Sequence, residues 1–433
     1  MARSIYDLCQ PFGGLMSYPH KLSVGLGEPR FEIYASGLGD LDQLTIKHGH
    51  NMGNKMDLNG AGGDYERDKA VLKALAETLE RYCSTIYREE QFIWAAAEEL
   101  EDAFDLDTIP VCSDEEVAHP LCPIRKPNKQ EKIRWVRGVS LTHGKPVWVP
   151  AVMVYLYIPY KNDAERFWLP ISTGCAIHTS YEQALINGIL EVIERDAISL
   201  TWLHKLPLMR IEFDIESLSP WAQAYMRENE KYPYVKTYYF NATTDLGIPT
   251  IYSVQISEHN KKLHTVVMCT TELDPEVALT KIVREAASVR IALQHKESQT
   301  SEVDRFMSVF DGALYMGASE MKEHFDFLLK SEGVYPFSQF RNLSTGQADK
   351  DLKYLLSVLQ DNGHEVIAVD LTTDEASRSG LYAVRVIIPG LQPLSFSLRA
   401  RYLGHKRLYT APEIMGYGRR TEQMINPMPQ PFA

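Results

Sequence analysis

Glu191, Glu194 and Arg195 interrupt an otherwise apolar helical run, STGCAIHTSYEQALINGILEVIERDAISLTW, at residues 172–202. Glutamates three apart project from one helix face. Ala184 and Gly188, seven and three residues before Glu191, keep that face thin enough for a second backbone or a ligand to approach. Carboxylates at the end of such a trough can hold a cation or do acid–base work. A single E-x-x-E-R is more often a solvated helix face with a local ion pair. Here the pattern is duplicated. Residues 60–82, GAGGDYERDKAVLKALAETLERY, align with 174–196, GCAIHTSYEQALINGILEVIERD, without a gap. Gly60 and Gly174 stand seventeen residues before the first glutamate, Ala70 and Ala184 seven before it, and the first copy closes on Glu77, Glu80 and Arg81. A weaker third copy has Ala278 seven before Glu285, with Ser288 in place of the second glutamate and a basic residue at Arg290. Such repetition means a shared structural unit, here two or three like helices turning carboxylates toward one cavity.

The chemistry follows from the charge count. Four or five glutamates facing one cavity resist ionising together unless cations neutralise them. Oxygen-only ligands suit a hard ion, so Mg²⁺ is the natural guest. Magnesium held by carboxylates commonly completes its shell with substrate phosphates, and Arg81, Arg195 and Arg290 can hold phosphate oxygens. The site is then a nucleotide site without a phosphate loop, since neither G-x-x-x-x-G-K-[ST] nor G-x-G-x-x-G after a strand is present. The rival reading, a glycosidase acid–base pair, draws its carboxyls from different elements opposed across a bond. His48 and His50 lack a third ligand at metal-binding spacing. Cys175 has no assignable histidine partner and reads as a packed cysteine beside Gly174.

Around these helices the 433 residues predict one large domain or two closely joined lobes. Hydrophobic residues make up 45% and charged residues 24%, a globular composition. A net charge of -12 argues against a sequence-independent hold on nucleic acid. Six cysteines without paired spacing fit a reducing cytoplasm. The N-terminus has no apolar signal core, and the run VPAVMVYLYIPY at 149–160 is too short to span a bilayer and reads as a buried strand. Short strands are expected at 20–26 and 31–35, then a glycine-rich polar loop over 51–63, the first repeat helix at 65–88 and a helical piece at 91–100. After a proline-marked connector, strands are expected at 132–141, 146–157 and 167–172, delivering the chain into the second repeat helix, which Thr179 or Ser180 caps. A helix at 220–230 precedes an antiparallel meander at 234–242, 249–256 and 263–270. The third repeat helix at 274–296, helices at 318–331 and 349–362, and strands at 364–371 and 382–388 complete an α+β fold of mixed, largely antiparallel sheets.

The paired A-x6-E-x-x-E-R segments, the ALTKIVRE stretch with Ala278, Leu279, Glu285 and Arg290, VRVIIPGLQPL at 384–394 and the PMPQPFA terminus together resemble the YcaO-domain family, in its azoline-forming cyclodehydratase branch. The resemblance runs from about residue 59 to the end, and implies an N-terminal segment 1–58 followed by a YcaO domain over 59–433. It implies a YcaO-type ATP-binding fold with ATP and Mg²⁺ as cofactors. Glu77, Glu80, Glu191 and Glu194 would surround Mg²⁺ and the triphosphate. Thr179, Gln183, Asn187, Arg195, Arg81, Glu285 and Arg290 would line the nucleotide site. The implied reaction is ring closure in a ribosomally synthesised precursor peptide, as in bacteriocin biosynthesis. A Cys, Ser or Thr side chain attacks the preceding carbonyl, ATP phosphorylates the amide oxygen, and loss of phosphate leaves a thiazoline or oxazoline. Catalysis is then mostly positioning and charge stabilisation. Family members with another nucleophile, forming thioamides or amidines, and a non-catalytic ATP-binding scaffold are the alternatives. By the same resemblance a separate leader-peptide-binding protein and a flavin-dependent azoline dehydrogenase are expected partners, in a homodimer or a synthetase complex, with no nucleic acid or membrane. Pro427, Pro429 and Pro431 favour an extended tail. The resemblance implies that Pro429, Pro431 and the Ala433 carboxylate lie near the reacting amide; an ordinary frayed terminus is the contrary expectation.

Overall fold

Residues 4–9, 14–38, 58–298 and 300–433 are described by the computed structural model. His48 and His50 lie outside them. Strands β1 (His20–Lys21), β2 (Glu32–Gly37) and β3 (Asn59–Asp64) form an antiparallel sheet, with Tyr34 opposite Gly62 and Ala35 opposite Ala61. β3 belongs to the stretch expected as a loop. Its glycines let it lie directly on helix α1 (Arg67–Cys83): a Cβ on Gly60 would come within 2.4 Å of Thr78 N, and one on Gly62 within 2.1 Å of Ala70 O. A strand that close to a helix can carry no side chain on that face. α1 answers with Ala70, Ala74 and Thr78, all buried at four-residue spacing.

The six-stranded sheet contains β4 (Ile93–Ala95), β5 (Ile133–Ser140), β6 (Lys145–Pro150) and β7 (Cys175–His178), joined late in the chain by β13 (Ile367–Asp370) and β14 (Tyr382–Ile387). Its order is β4-β5-β13-β14-β7 with β6 on β5, all antiparallel. β4 stands where a helix was expected at 91–100. The apolar run at 149–160 leaves the sheet at Pro150, turns through one helical turn (Ala151–Val154) and stays buried. Continuous apolar character cannot separate a buried strand from a buried turn, and Pro150 ends the ladder. Residues 167–172 form no strand.

Helix α2 (Tyr181–His204) packs on β14, β7 and β11 (Thr265–Thr271). The Ser180 side chain caps it by accepting from Gln183 N, and Lys205 ends it in the left-handed conformation at φ 48°. From Ile193 to His204 it is buried almost all round, which is why that half reads as uniformly apolar. The remaining sheet is β8 (Arg210–Glu212), β9 (Lys236–Asn241), β10 (Thr250–Ile256), β11 and β12 (Val334–Pro336), ordered β11-β10-β9-β8-β12. The expected meander β9-β10-β11 is antiparallel, while β12 joins β8 in parallel. Every residue of β10 and β11 is buried, because α4 (Pro275–Gln294) packs on them and α2 on β11. Helices α3 (Pro220–Glu230) and α5 (Ala348–Asp361) fall where expected; 318–331 is instead mostly 3-10 helix. Among the described residues no helix is long and apolar enough to cross a membrane.

Candidate functional site

The two gapless repeats fold into two like devices. In the first, Ala61 N–H at the start of β3 donates to Glu77 Oε2 at 2.8 Å, and Arg81 Nη2 donates to Glu77 Oε1 at 2.9 Å. In the second, Gly174 N–H donates to Glu191 Oε2 at 3.0 Å, and Arg195 Nη2 to Glu191 Oε1 at 3.3 Å. Each first glutamate is thus fixed by a backbone N–H in, or just before, the strand that precedes its helix and by the arginine one turn on. Gly174 must be glycine: its φ is 85°, and a Cβ would meet Val386 O at 2.2 Å. Each second glutamate reaches the same arginine, Glu80 to Arg81 at 3.0 Å and Glu194 to Arg195 at 3.4 Å. Glu194 also accepts from Thr271 N at 3.0 Å, which ties the cluster to β11.

Burial makes these carboxylates reluctant anions. It pushes Glu80 up to about 8, with Glu191 and Glu77 adding to the rise and Arg81 and Arg385 opposing it. It pushes Glu194 up to about 7, with Glu285 and Glu191 adding to the rise and Arg195 and Lys281 opposing it. Glutamates of all three repeat helices therefore act on one another. Lys281, four residues before Glu285 on α4, bonds Glu272 at 2.8 Å. Desolvation works against its charge, but Glu272, Glu285 and Glu194 outweigh it and hold the amine above its ordinary value. Lys281 was not among the candidates, although its i,i+4 spacing from Glu285 was a usable signal. Asp64, at the end of β3, was also missed; it gathers Lys73, Tyr225 (2.6 Å) and Arg284 (3.7 Å) beside the cluster.

Thr179, Gln183, Asn187, Glu191 and Arg195 recur every four residues, so the expected nucleotide contacts form one stripe along α2. Thr179 and Asn187 are exposed, and Gln183 Nε2 donates to Asn187 Oδ1 at 2.9 Å. Arg290 is placed differently. Its guanidinium is buried on Glu28, with Nη2 to Oε1 at 2.8 Å and to Leu263 O at 3.3 Å, and none of its bonds reaches the glutamates. In effect it clamps the segment before β2 to α4. Cys175 is buried with its thiol pKa raised by desolvation, and it accepts from Arg385 Nη1 at 3.1 Å.

The C-terminal tail is held along its length. Asn426 N donates to Leu203 O at 2.8 Å, Trp202 Nε1 to Met428 O at 3.3 Å, and Arg401 Nη1 to Asn426 O at 2.9 Å. Pro429, Pro431 and Phe432 are buried, and the Phe432 ring lies 5.0 Å from Arg195 Cζ. Ala433 packs beside Leu263 and Leu293. A frayed end is thereby excluded, and the tail reaches the arginine of the second repeat.

Among the described residues no three His, Cys, Asp or Glu side chains converge as a ready metal cage; the glutamates lie against Arg81 and Arg195 instead. The donor set nevertheless fits Mg²⁺ with a polyphosphate. Burial raises the pKa values of Glu80 and Glu194, a cost that a bound cation would offset. Thr173 Oγ1 is buried without a hydrogen bond, and Arg195 Nη1 keeps only its 3.4 Å ion pair with Glu194, leaving places for phosphate oxygens.

A family model described as YcaO cyclodehydratase, ATP- and Mg²⁺-binding, matches residues 59–392. The chain belongs to the YcaO family. ATP and Mg²⁺ are its cofactors. An uncharacterized protein of Methanothermobacter thermautotrophicus is 26% identical over 337 residues, covering 77% of this YcaO chain and 82% of that one. A heterocyclase solved in complex with substrate and cofactor superposes with TM-score 0.80 at 21% identity, over 99% of this chain and 56% of that one. The YcaO protein of Methanopyrus kandleri, bound with AMPPCP and Mg²⁺, superposes with TM-score 0.62 at 21% identity, over 86% of each chain. This chain thus has the YcaO fold, and it spans little more than half of the matched heterocyclase.

Proposed function

We propose that this YcaO protein is an ATP-dependent cyclodehydratase that converts Cys, Ser or Thr of a ribosomally synthesised precursor peptide to thiazoline or oxazoline. The observation that carries the reading is the buried proline-rich tail ending on Arg195, beside glutamates poised for a cation.

In the net reaction the side-chain nucleophile gives up its S–H or O–H proton to solvent and bonds to the preceding carbonyl carbon, the oxygen leaves as phosphate, and the amide nitrogen loses its proton as C=N forms. When bound, ATP with Mg²⁺ supplies the phosphoryl group that makes this oxygen a leaving group. Glu77, Glu80, Glu191 and Glu194 are assigned to the cation, with Glu285 and Lys281 balancing charge at the α4 side. Arg81 and Arg195 neutralise charge developing on phosphate oxygens. The stripe of Thr179, Gln183 and Asn187 orients the nucleotide. Pro429 and Pro431 hold the tail so that the Ala433 carboxylate faces the amide and accepts its proton. A leader-peptide-binding partner captures the substrate, and a flavin-dependent dehydrogenase acts on the product.

Incubation with ATP, Mg²⁺ and Cys-, Ser- or Thr-containing peptides tests the reading. ATP consumption that depends on peptide, with loss of one water from the product by mass spectrometry, is the expected result. Exchange of oxygen for sulfur, or no turnover with any peptide, overturns it.

A further inference from the structure

A pocket bordered by Arg195 opens beside the glutamates' helix. Its walls are apolar, formed by Met153, Trp168, Ile171, Val192 and Leu391, and Pro393 stands at its edge. The free space inside holds on the order of three water-sized groups, the bulk of a small branched aliphatic side chain. Its polar lining includes buried donors without a hydrogen bond. Trp168 Nε1, Thr173 Oγ1 and Arg385 Nε are buried and make none, and Arg195 Nη1 has only its 3.4 Å ion pair with Glu194. Trp168 and Arg385 are only 8% and 2% exposed, so water does not satisfy them from the bulk. Three of the four are obligate donors, a set that asks for carbonyl oxygens. Pro393 also borders a second cavity lined by Ser199, Trp202, Met428 and Gln430, so the pocket and the tail face a common path.

The nearest free side chain to the reacting bond decides what fills the pocket. The cyclising side chain is consumed in the ring. The attacked carbonyl belongs to the residue before it, whose Cβ is two bonds from the carbon undergoing attack, whereas the following residue lies across the ring. Resting on the cyclodehydratase reading above, we propose that this pocket is a specificity subsite for the residue preceding the cyclised Cys, Ser or Thr. It accepts a small aliphatic side chain, while Trp168 Nε1 and Arg385 Nε, the two donors not assigned to the nucleotide, receive the flanking peptide carbonyls. Apolar walls reward methylenes, and the small free volume rejects bulk.

The test uses peptides Gly-Gly-X-Cys-Gly-Gly at saturating ATP and Mg²⁺, with X as Gly, Val, Phe or Asp, scored by kcat/KM for loss of water. Val is expected to exceed Gly and Asp at least tenfold. Ile171, half-buried on the pocket wall, provides the paired variants. Ile171→Trp should abolish the advantage of Val over Gly while turnover of the Gly peptide persists. Ile171→Ala should shift the preference toward Phe. Loss of folding cannot produce a reversal of preference. Equal kcat/KM for all four peptides, or a ranking that neither variant moves, overturns the subsite and leaves the cyclodehydratase reading standing. Absence of water loss from every peptide overturns both.

Discussion

Replacing Glu194 by Gln should leave a protein whose stability depends less on pH than that of the wild type. Glu194 ionises at 4.5 as a free side chain and at about 7 in its buried place. Because the folded value is raised, the stability it contributes is present in full below pH 4.5 and is lost as pH rises toward about 7. At 1.36 kcal/mol per decade the whole loss is on the order of 3 kcal/mol, most of which falls between about pH 5 and pH 9. For 433 residues at roughly 2.1 cal/mol/K each, the unfolding entropy is about 0.9 kcal/mol/K, so this loss is about 3 °C in Tm. The carboxamide of Glu194→Gln cannot ionise and escapes it. The amide would still accept from Thr271 N but would turn an N–H toward Arg195 Nη1, a fixed penalty independent of pH. The readout is therefore the slope. Calorimetry without divalent ion should find the wild-type Tm falling about 3 °C further than the variant's across that range. Saturating Mg²⁺ and ATP, at a hundred times Kd, should raise the wild-type stability by about 2.7 kcal/mol and the variant's far less. Parallel Tm–pH curves would refute the premise that burial raises the pKa of Glu194.

Lys281→Met removes the amine that faces Glu272, Glu285 and Glu194; the pH midpoint for Mg²⁺-nucleotide binding should move upward in titration calorimetry, and an unmoved midpoint contradicts the charge-balancing role. Gly62→Ala places a methyl 2.1 Å from Ala70 O, so β3 must lift from α1, costing about 1–3 kcal/mol in denaturant unfolding and weakening Mg²⁺ binding through Ala61 N–H and Glu77. A fully stable variant would show that the two backbones are not in contact. Deleting Pro429 to Ala433, or extending the C-terminus by a few residues, should lower cyclisation at least a hundredfold while thermal protection by ATP persists; an unchanged rate with a C-terminal tag removes the tail from the chemistry.

Local chemistry carried much of this fold because short-range rules suffice for it. Ser180 capping Gln183 N, the meander of β9 to β11 and α3 beginning at Pro220 each depend on a few neighbouring residues. The 59–64 stretch was misread because glycine ordinarily weakens a strand, and only contact with the α1 backbone makes Gly60 and Gly62 an advantage there. Arg290 was misplaced for a similar reason. It lies five residues after Glu285, one more than the arginine of the other two repeats, and Glu28, 262 positions away in sequence, is the carboxylate that reaches it.

The sequence by itself determined that two E-x-x-E-R helices would each present paired carboxylates beside an arginine, because helical periodicity sets that geometry without reference to the rest of the chain. It also set the tail's extended form, through the fixed φ of three prolines. Tertiary structure alone decided which strand amide holds each glutamate, that Lys281 sits among Glu272, Glu285 and Glu194, and that Phe432 lies over Arg195. It also decided the protonation of Glu80 and Glu194. Their raised pKa values come from desolvation and from charges on other helices, quantities that exist only once the chain has closed around the site.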